Sequence, residues 1–231
     1  DYALYIRAQS LSLLGEPDAA LPLFGQLATY SGSRFQHAAA WRAADCRYEA
    51  GDWAGARGGY ERLLKENGGG DAALALFRIG KTLVAQKQVA QSVPYFRRVL
   101  LEYPAHPLAN EAHLELSARG RGALSAQDRI ARAERFVDFL LWREALRELD
   151  FIGYDQPADV KYLRDFWLGE TLFKMRRRYA YAGELLLRTY EHIDPSLGPR
   201  ALFHGARALS RAQRDSEAIV YYHQVVKKYP R

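Results

Sequence analysis

Six histidines and one cysteine are the residues of this chain that could bind a metal ion or act as a nucleophile with its base. No two of the histidines stand four residues apart with a partnering acid, and none pairs with the cysteine: they are His37, His106, His113, His192, His204 and His223. Structural and catalytic metal sites need such clusters at short spacing. The sequence therefore predicts no metal site, no cofactor and no catalytic residue, and we expect His204 and His223 to be surface or interhelix polar residues.

The cysteine, Cys46, lies among alanines in "AAWRAADCRYEA", and a single cysteine rules out an internal disulfide. Two interpretations stay open. Cys46 is a small buried side chain that fills space, or it is a reactive thiol.

Phosphate-binding and nucleophile motifs are absent: the chain has no P-loop, no G-x-G-x-x-G and no G-x-S-x-G. The run "NGGGD" at 67–71 lacks the preceding strand and following lysine of a phosphate cradle. It predicts a loop followed by a helix that Asp71 caps.

The run "FKMRRRY" concentrates positive charge in Lys174, Arg176, Arg177 and Arg178. Cations at the end of a helix face the negative end of its dipole, and an anion-binding patch is the alternative. The chain carries a net charge of +6, and 20 basic against 15 acidic residues follow Arg119. This bias favours anionic partners but falls short of the concentrated surface of a nucleic-acid binder.

The helices that position the residues described above are predicted from a repeat in the sequence. A small residue is followed four positions later by a large one, at intervals of 36 residues in most steps and 37 in one. The pairs are Ala20/Phe24, Ala56/Tyr60, Ser92/Phe96, Ala145/Leu149, Ala182/Leu186 and Ala218/Tyr222. Apolar residues at spacings of three and four precede each turn, and prolines close the units, so each unit is predicted to be a helical hairpin.

This pattern resembles the tetratricopeptide repeat, W-x2-L-G-x2-Y, A-x3-F and then P. The resemblance implies an all-α solenoid of about six hairpins plus one extra helix, wound as a right-handed superhelix, with proteins as partners. From Ser92 to Ala145 the spacing is 53 residues, which leaves room for a helix at 108–118 and a loop, "RGRGALS". Ser125 and Asp128 offer a capping box for the helix that follows. We therefore expect two lobes, 1–119 and 120–231.

One position of the first helix in each unit is aromatic in five of the six copies. It is occupied by Tyr5, Trp41, Phe77, Ile130, Phe166 and Phe203. In tetratricopeptide folds this position lies near the concave wall, where a ladder of rings could stack on sugars or an apolar peptide. The alternative is that the rings pack between hairpins. A nearby polar row of Gln9, Asp45, Lys81, Glu134, Glu170 and Arg207 lacks the Lys/Asn set with which tetratricopeptide co-chaperones clamp a carboxylate.

The ends of the sequence read as helix, and no run approaches the roughly 20 apolar residues that span a bilayer. In "SEAIVYYHQVVKKYPR", at 216–231, apolar residues lie on more than one side of the helix. Because repeat arrays close with a polar capping helix, we expect further protein to pack against this segment.

The segment "ALFHGARALSRAQRDSEAIVYYHQVVKKYPR" resembles the helical repeats that precede the catalytic domain of soluble lytic murein transglycosylases. The resemblance implies a periplasmic scaffold whose partners are its own downstream domain or peptidoglycan glycan strands. The Glu-Ser and Gly-Leu-Met-Gln motifs of that catalytic domain are absent here, so no catalytic residue carries over. The alternative is a protein-interaction scaffold of a bacterial envelope complex.

Overall fold

The structure is a computed structural model that describes residues 1–66 and 70–230. Within these residues the chain forms thirteen α-helices and no β-strand. The first seven helices are α1 Tyr2–Leu13, α2 Pro17–Thr29, α3 Gln36–Glu49, α4 Trp53–Lys65, α5 Ala72–Ala85, α6 Val89–Glu102 and α7 Leu108–Ser117. The other six are α8 Ala126–Asp138, α9 Trp142–Asp150, α10 Ala158–Lys174, α11 Tyr179–Thr189, α12 Gly198–Arg211 and α13 Asp215–Lys228.

The chain divides into two compact units, Asp1–Gly122 and Ala123–Arg231. In the first unit, helices α1 to α6 form three hairpins, each helix packs on the next in the chain, and α7 packs on α5 and α6. In the second unit, α8 to α13 form three more hairpins with the same neighbour-to-neighbour packing. Six hairpins and one extra helix, all α-helical, confirm the predicted solenoid architecture. No helix in the described residues is long and apolar enough to cross a membrane.

The small and large residues of the repeat form the contacts between helices. Eleven of the twelve residues in the six predicted pairs are buried, from Ala20 and Phe24 to Ala218, and the twelfth, Tyr222, is half-buried. Burying one Phe or Leu side chain contributes about 1.5–3 kcal/mol, so the large residue of each pair stabilises its hairpin. The predicted register is confirmed.

Close approach of two helices requires glycine at one position of the first helix. A Cβ atom added to Gly80 would lie 2.6 Å from the ring of Phe96, and one added to Gly169 would lie 2.8 Å from Leu186. Both distances are shorter than side chains tolerate. Glycine at these two positions therefore sets how closely α5 approaches α6 and how closely α10 approaches α11.

The turn of each hairpin follows one design. The first helix ends with a residue in the left-handed conformation, and the next amide donates to a carbonyl five residues back, as in a Schellman motif. In the first hairpin the amide of Glu16 donates to the carbonyl of Leu11 at 3.0 Å. Glycine occupies the left-handed position at Gly15 and Gly51, and at Gly120 after α7, whereas the other turns place Lys87, Leu140, Arg176 and Gln213 there.

The extra helix and the capping box lie where the sequence predicts them. α7 covers Leu108–Ser117. The side chain of Ser125 accepts from the amide of Asp128 at 3.1 Å, and the carboxylate of Asp128 accepts from the amide of Ser125 at 2.9 Å. Asp71 caps α5, as predicted, by accepting from the amide of Leu74 at 2.8 Å. Residues 67–69 of the predicted glycine loop lie outside the described residues.

Candidate functional site

The predicted aromatic positions differ in exposure. Phe77, Ile130 and Phe166 are buried, the last with no exposed surface, whereas Phe203 is 42% exposed. Tyr5 and Trp41 are half-buried. The six residues therefore do not form one uniform row of accessible rings.

Packing contacts explain the two buried rings. Phe77 lies edge-on to Phe96, with ring centres 5.4 Å apart, and Phe166 lies edge-on to Trp167 at 5.0 Å. The guanidinium of Arg200 lies 5.7 Å above the ring of Phe166. Phe77 thus packs within its own hairpin, and Phe166 packs against a residue of its own helix and one of α12, while Tyr5 and Trp41 are partly exposed.

Tyr5 and Trp41 line a cleft of about 430 Å³ in the first unit, which we name the α3 cleft. Its other lining residues are Ala38, Arg42, Asp45, Tyr60, Gly70, Asp71, Leu74 and Ala75. They come from the first helices of three successive hairpins, α1, α3 and α5, together with α4 and the residues before α5. The repeat itself therefore assembles the cleft.

One carboxylate organises the polar part of the α3 cleft. Oδ1 of Asp45 accepts from the hydroxyl of Tyr60 at 2.7 Å and from Nη1 of Arg78 at 2.6 Å. The same Arg78 nitrogen donates to the Tyr60 oxygen at 2.9 Å, and Arg42 donates to Oδ2 of Asp45 at 3.3 Å. Burial and then the charge of Asp45 raise the pKa of Tyr60, so its phenol stays protonated at neutral pH. Nη2 of Arg78 also lies 3.8 Å from Glu49, so the two arginines of this network face two carboxylates.

The rim beside Trp41 is made of backbone. Gly70 has φ of +142°, and a Cβ atom there would lie 2.3 Å from Cε2 of Trp41, so only glycine fits against the indole. The next residue, Asp71, faces Nε2 of His106 at 3.1 Å in addition to capping α5. The aromatic wall of the cleft is therefore bordered by the backbone at Gly70.

The α3 cleft can hold a bulky apolar side chain with a polar tip. Its rings offer apolar and stacking surface, and its volume lies within the range of ligand pockets, about 300–1,000 Å³. Because Asp45 already accepts from three donors, recognition depends on shape and apolar contact more than on net charge.

Three residues of the polar row predicted from the sequence, Asp45, Lys81 and Glu170, pair with a side chain of a later helix. Asp45 pairs with Arg78 at 2.6 Å, Lys81 pairs with Glu115 at 2.9 Å, and Glu170 faces Nδ1 of His204 at 2.6 Å. Each partner lies 33 or 34 residues further along the chain. The repeat register identifies the residues of the row in the sequence. It does not identify their ion-pair partners, because these lie about one repeat further along the chain.

Glu170 has the most enclosed carboxylate of this row, with no exposed surface. Nε of Arg200 donates to it at 2.8 Å, and His204 stacks on Phe173 with ring centres 5.0 Å apart. His204 is therefore an interhelix residue in the second unit.

The predicted basic run lies in the turn between α10 and α11. Lys174, Arg176, Arg177 and Arg178 are all exposed. In the described part of the chain none of the four forms an ion pair with an acidic side chain.

Cys46 is fully buried, and burial raises the pKa of its thiol to about 11. Thiolate is the reactive form, so a thiol with this pKa is almost wholly protonated at neutral pH, and the space-filling interpretation describes it. Among residues 1–66 and 70–230, no group of three or more His, Cys, Asp or Glu side chains could hold a metal ion.

The fold and the register define a helical-hairpin repeat protein. Two family models described as "Tetratricopeptide repeat" match the chain, one over residues 5–72 and 42–107 and the other over 200–231. These matches cover more than half of the sequence, and the chain belongs to the tetratricopeptide-repeat family.

Two solved structures are similar to this chain at low sequence identity. The complex of the TPR2AB domain of yeast Sti1 with pHSP90 shares 13% identity, with 98% of this chain and 89% of that chain covered and a TM-score of 0.42. The apo form of RapI shares 12%, with 100% and 77% covered and a TM-score of 0.42. No curated protein sequence matches the chain. Neither the family models nor these two structures connect the chain with lytic transglycosylases.

Proposed function

We propose that this chain is a non-catalytic scaffold that binds a protein partner, and that the α3 cleft receives a bulky apolar side chain from an extended segment of that partner. The observation that carries the proposal is the cleft itself: about 430 Å³ between Tyr5, Trp41 and Tyr60. Helical repeat arrays use their extended surfaces in this way.

The chemistry of the cleft favours binding over catalysis. The phenol of Tyr60 already donates its hydrogen to Asp45, and burial raises its pKa further above that of an ordinary tyrosine. Asp45 forms ion pairs with Arg42 and Arg78, which occupy its carboxylate oxygens. These groups are therefore suited to shaping a binding surface.

A peptide library displayed on phage, panned on the purified chain, tests the proposal. Exposed Ala38 lines the cleft, so Ala38→Trp fills it without disturbing the core. We expect selected peptides to share a bulky apolar residue and to bind Ala38→Trp at least about tenfold more weakly, which is about 1.4 kcal/mol.

The matched control is Trp53→Ala. Trp53 lies in the same unit but packs edge-on to Tyr48 at 5.6 Å, outside the cleft. The control should bind selected peptides as the parent does. Equal binding by Ala38→Trp, or a panning that selects no common apolar residue, would overturn the proposal.

The second candidate is the scaffold of a periplasmic lytic transglycosylase, and the sequence of 201–231 supports it. Sedimentation with purified peptidoglycan sacculi separates the two candidates. Glycan strands held by the aromatic residues predict retention that Ala38→Trp reduces, whereas a protein-binding scaffold predicts that the chain stays in the supernatant.

A further inference from the structure

The turn between α10 and α11 is one residue longer than the other five hairpin turns. In the other hairpins the buried small residue follows the left-handed residue by five positions in the sequence, as Ala56 follows Gly51. In this turn the spacing is six, from Arg176 to Ala182, and Arg178 adds a second left-handed residue at φ of 50°. The inserted residue therefore lies within the basic run.

Among the described residues, no acidic side chain forms an ion pair with the cations of this turn. Arg214 occupies the position in the α12–α13 turn that Arg177 occupies here, and it pairs with Glu184 at 2.5 Å and Glu217 at 2.7 Å. Arg177 has no such acidic partner among the described residues, and the first turn of α11 contains no acidic residue. The guanidinium of Arg178 lies 4.6 Å above the ring of Tyr181.

A fifth cation comes from the next hairpin. Arg211 is exposed, its Nη1 donates to the Tyr179 hydroxyl at 3.0 Å, and its guanidinium lies 5.3 Å above the ring of Phe173. Since Phe173 and Tyr179 flank the turn, Arg211 extends the charged surface. We name Lys174, Arg176, Arg177, Arg178 and Arg211 the basic turn.

We propose that the basic turn docks an acidic segment of a protein partner, a short run of Asp or Glu side chains. Guanidinium groups bind carboxylates in bidentate pairs, and four arginines lie within this one surface. Nucleic-acid binders spread their cations along a groove that follows the phosphates, whereas these are confined to one turn and the end of α12. The proposal rests on the proposed function only in taking the partner to be a protein.

Fluorescence anisotropy with a fluorescein-labelled peptide of eight glutamates tests the proposal. The triple variant Arg176→Gln/Arg177→Gln/Arg178→Gln removes three charges. Glutamine suits this turn because Gln213 already occupies the left-handed position of the α12–α13 turn. We expect the triple variant to bind about tenfold more weakly than the parent, from three exposed ion pairs, and parent binding to weaken as salt screens the charges.

The matched control is Arg143→Gln/Arg147→Gln/Lys161→Gln, which removes three exposed charges from the same unit. It should change binding less than about twofold, with thermal melting of both triple variants close to that of the parent. An equal loss in both variants would assign the effect to net charge, and no binding by the parent would refute the site. Tighter binding of an eight-nucleotide single strand, lost in the same variant, would make the surface a nucleic-acid site and overturn the proposal.

The experiments distinguish a failure of this proposal from a failure of the proposed function of the α3 cleft. Ala38→Trp should leave binding of the glutamate peptide unchanged, because the basic turn lies in the second unit. Peptides selected on the α3 cleft should bind the Arg176→Gln/Arg177→Gln/Arg178→Gln variant as they bind the parent.

Discussion

The second hairpin of each unit places the same two repeat positions in opposite surroundings. In the first unit Asp45 lies beside Trp41 at the α3 cleft, and its side chain is 13% exposed. In the second unit Glu170 stands at the same position beside Phe166, and both are completely buried. The repeat register alone therefore does not decide whether this position forms a binding surface or a sealed core.

The residue supplied by the following hairpin decides it. In the second unit Arg200 covers Phe166 and bonds Glu170. Counting by the repeat, the first unit has Ala38 and Leu74 at that position, and both line the cleft. Ala38 is too short to reach Gln9, the counterpart of Glu170, and Oε1 of Gln9 is buried with no hydrogen-bond partner among the described residues. Ala38 and Leu74, which carry no guanidinium, thus leave the cleft open, whereas Arg200 covers the corresponding place in the second unit.

The largest expected effect is a difference in stability between alanine variants at the aromatic positions of the two units, Phe166 and Trp41. Phe166→Ala should lower the free energy of unfolding by about 3–5 kcal/mol, because it empties a fully enclosed site. Trp41→Ala should lower it by about 1–2 kcal/mol, because the ring is half-buried, while weakening peptide binding. Urea denaturation followed by circular dichroism measures both. Equal losses would mean that the two positions are equally enclosed.

Removing the two carboxylates should also destabilise the second unit more than the first. Glu170→Ala leaves Arg200 without its buried partner and should cost about 3 kcal/mol. Asp45→Ala should cost about 1–2 kcal/mol, because water reaches that network. Glu170→Gln keeps the shape and serves as the control. A larger loss for Asp45→Ala than for Glu170→Ala would contradict the difference in enclosure.

Converting the first unit toward the second gives a sharper comparison. Ala38→Arg places a guanidinium over Tyr5 and within reach of Gln9, so it should stabilise the unit by about 0.5–1.5 kcal/mol and abolish binding of cleft-selected peptides. The control Ala38→Ser should leave both unchanged. Intact peptide binding in Ala38→Arg would show that the position does not gate the cleft.

The smallest effects concern the turns. The left-handed positions of the three hairpin turns in the second unit hold Leu140, Arg176 and Gln213, whereas two of the three in the first unit hold glycine. Leu140→Gly and Gln213→Gly should each stabilise the protein by up to about 1 kcal/mol, since a left-handed residue with Cβ costs about 1–2 kcal/mol. Gly51→Ala should destabilise it by a similar amount. Thermal melting of the three variants checks the signs.

Local patterns made much of the fold predictable. The small and large pairs, the extra helix α7 and the Ser125 capping box depend on residues a few positions apart, and all three are confirmed. The left-handed turns at Lys87 and Leu140 were not predictable, because no glycine marks them.

The candidate site was predictable only in part. Position in the repeat placed Tyr5, Trp41 and Phe166 on corresponding faces of their helices, but covering residues such as Arg200 come from the next hairpin. The pairing of Asp45 with Arg78 spans 33 residues, so no short spacing reveals it. Side-chain size one repeat away therefore separates an open site from a closed one.

The extra residue of the α10–α11 turn leaves the buried faces of both helices unchanged: Leu172 and Leu186 remain buried on either side of it. Inside a helix, one added residue would rotate everything beyond it by about 100° and expose the core. Here the left-handed Arg178 absorbs the added length. Residues can thus be inserted at the turn of a hairpin without repacking its helices. The peptide bond between Arg177 and Arg178 is therefore a suitable point for inserting a foreign loop.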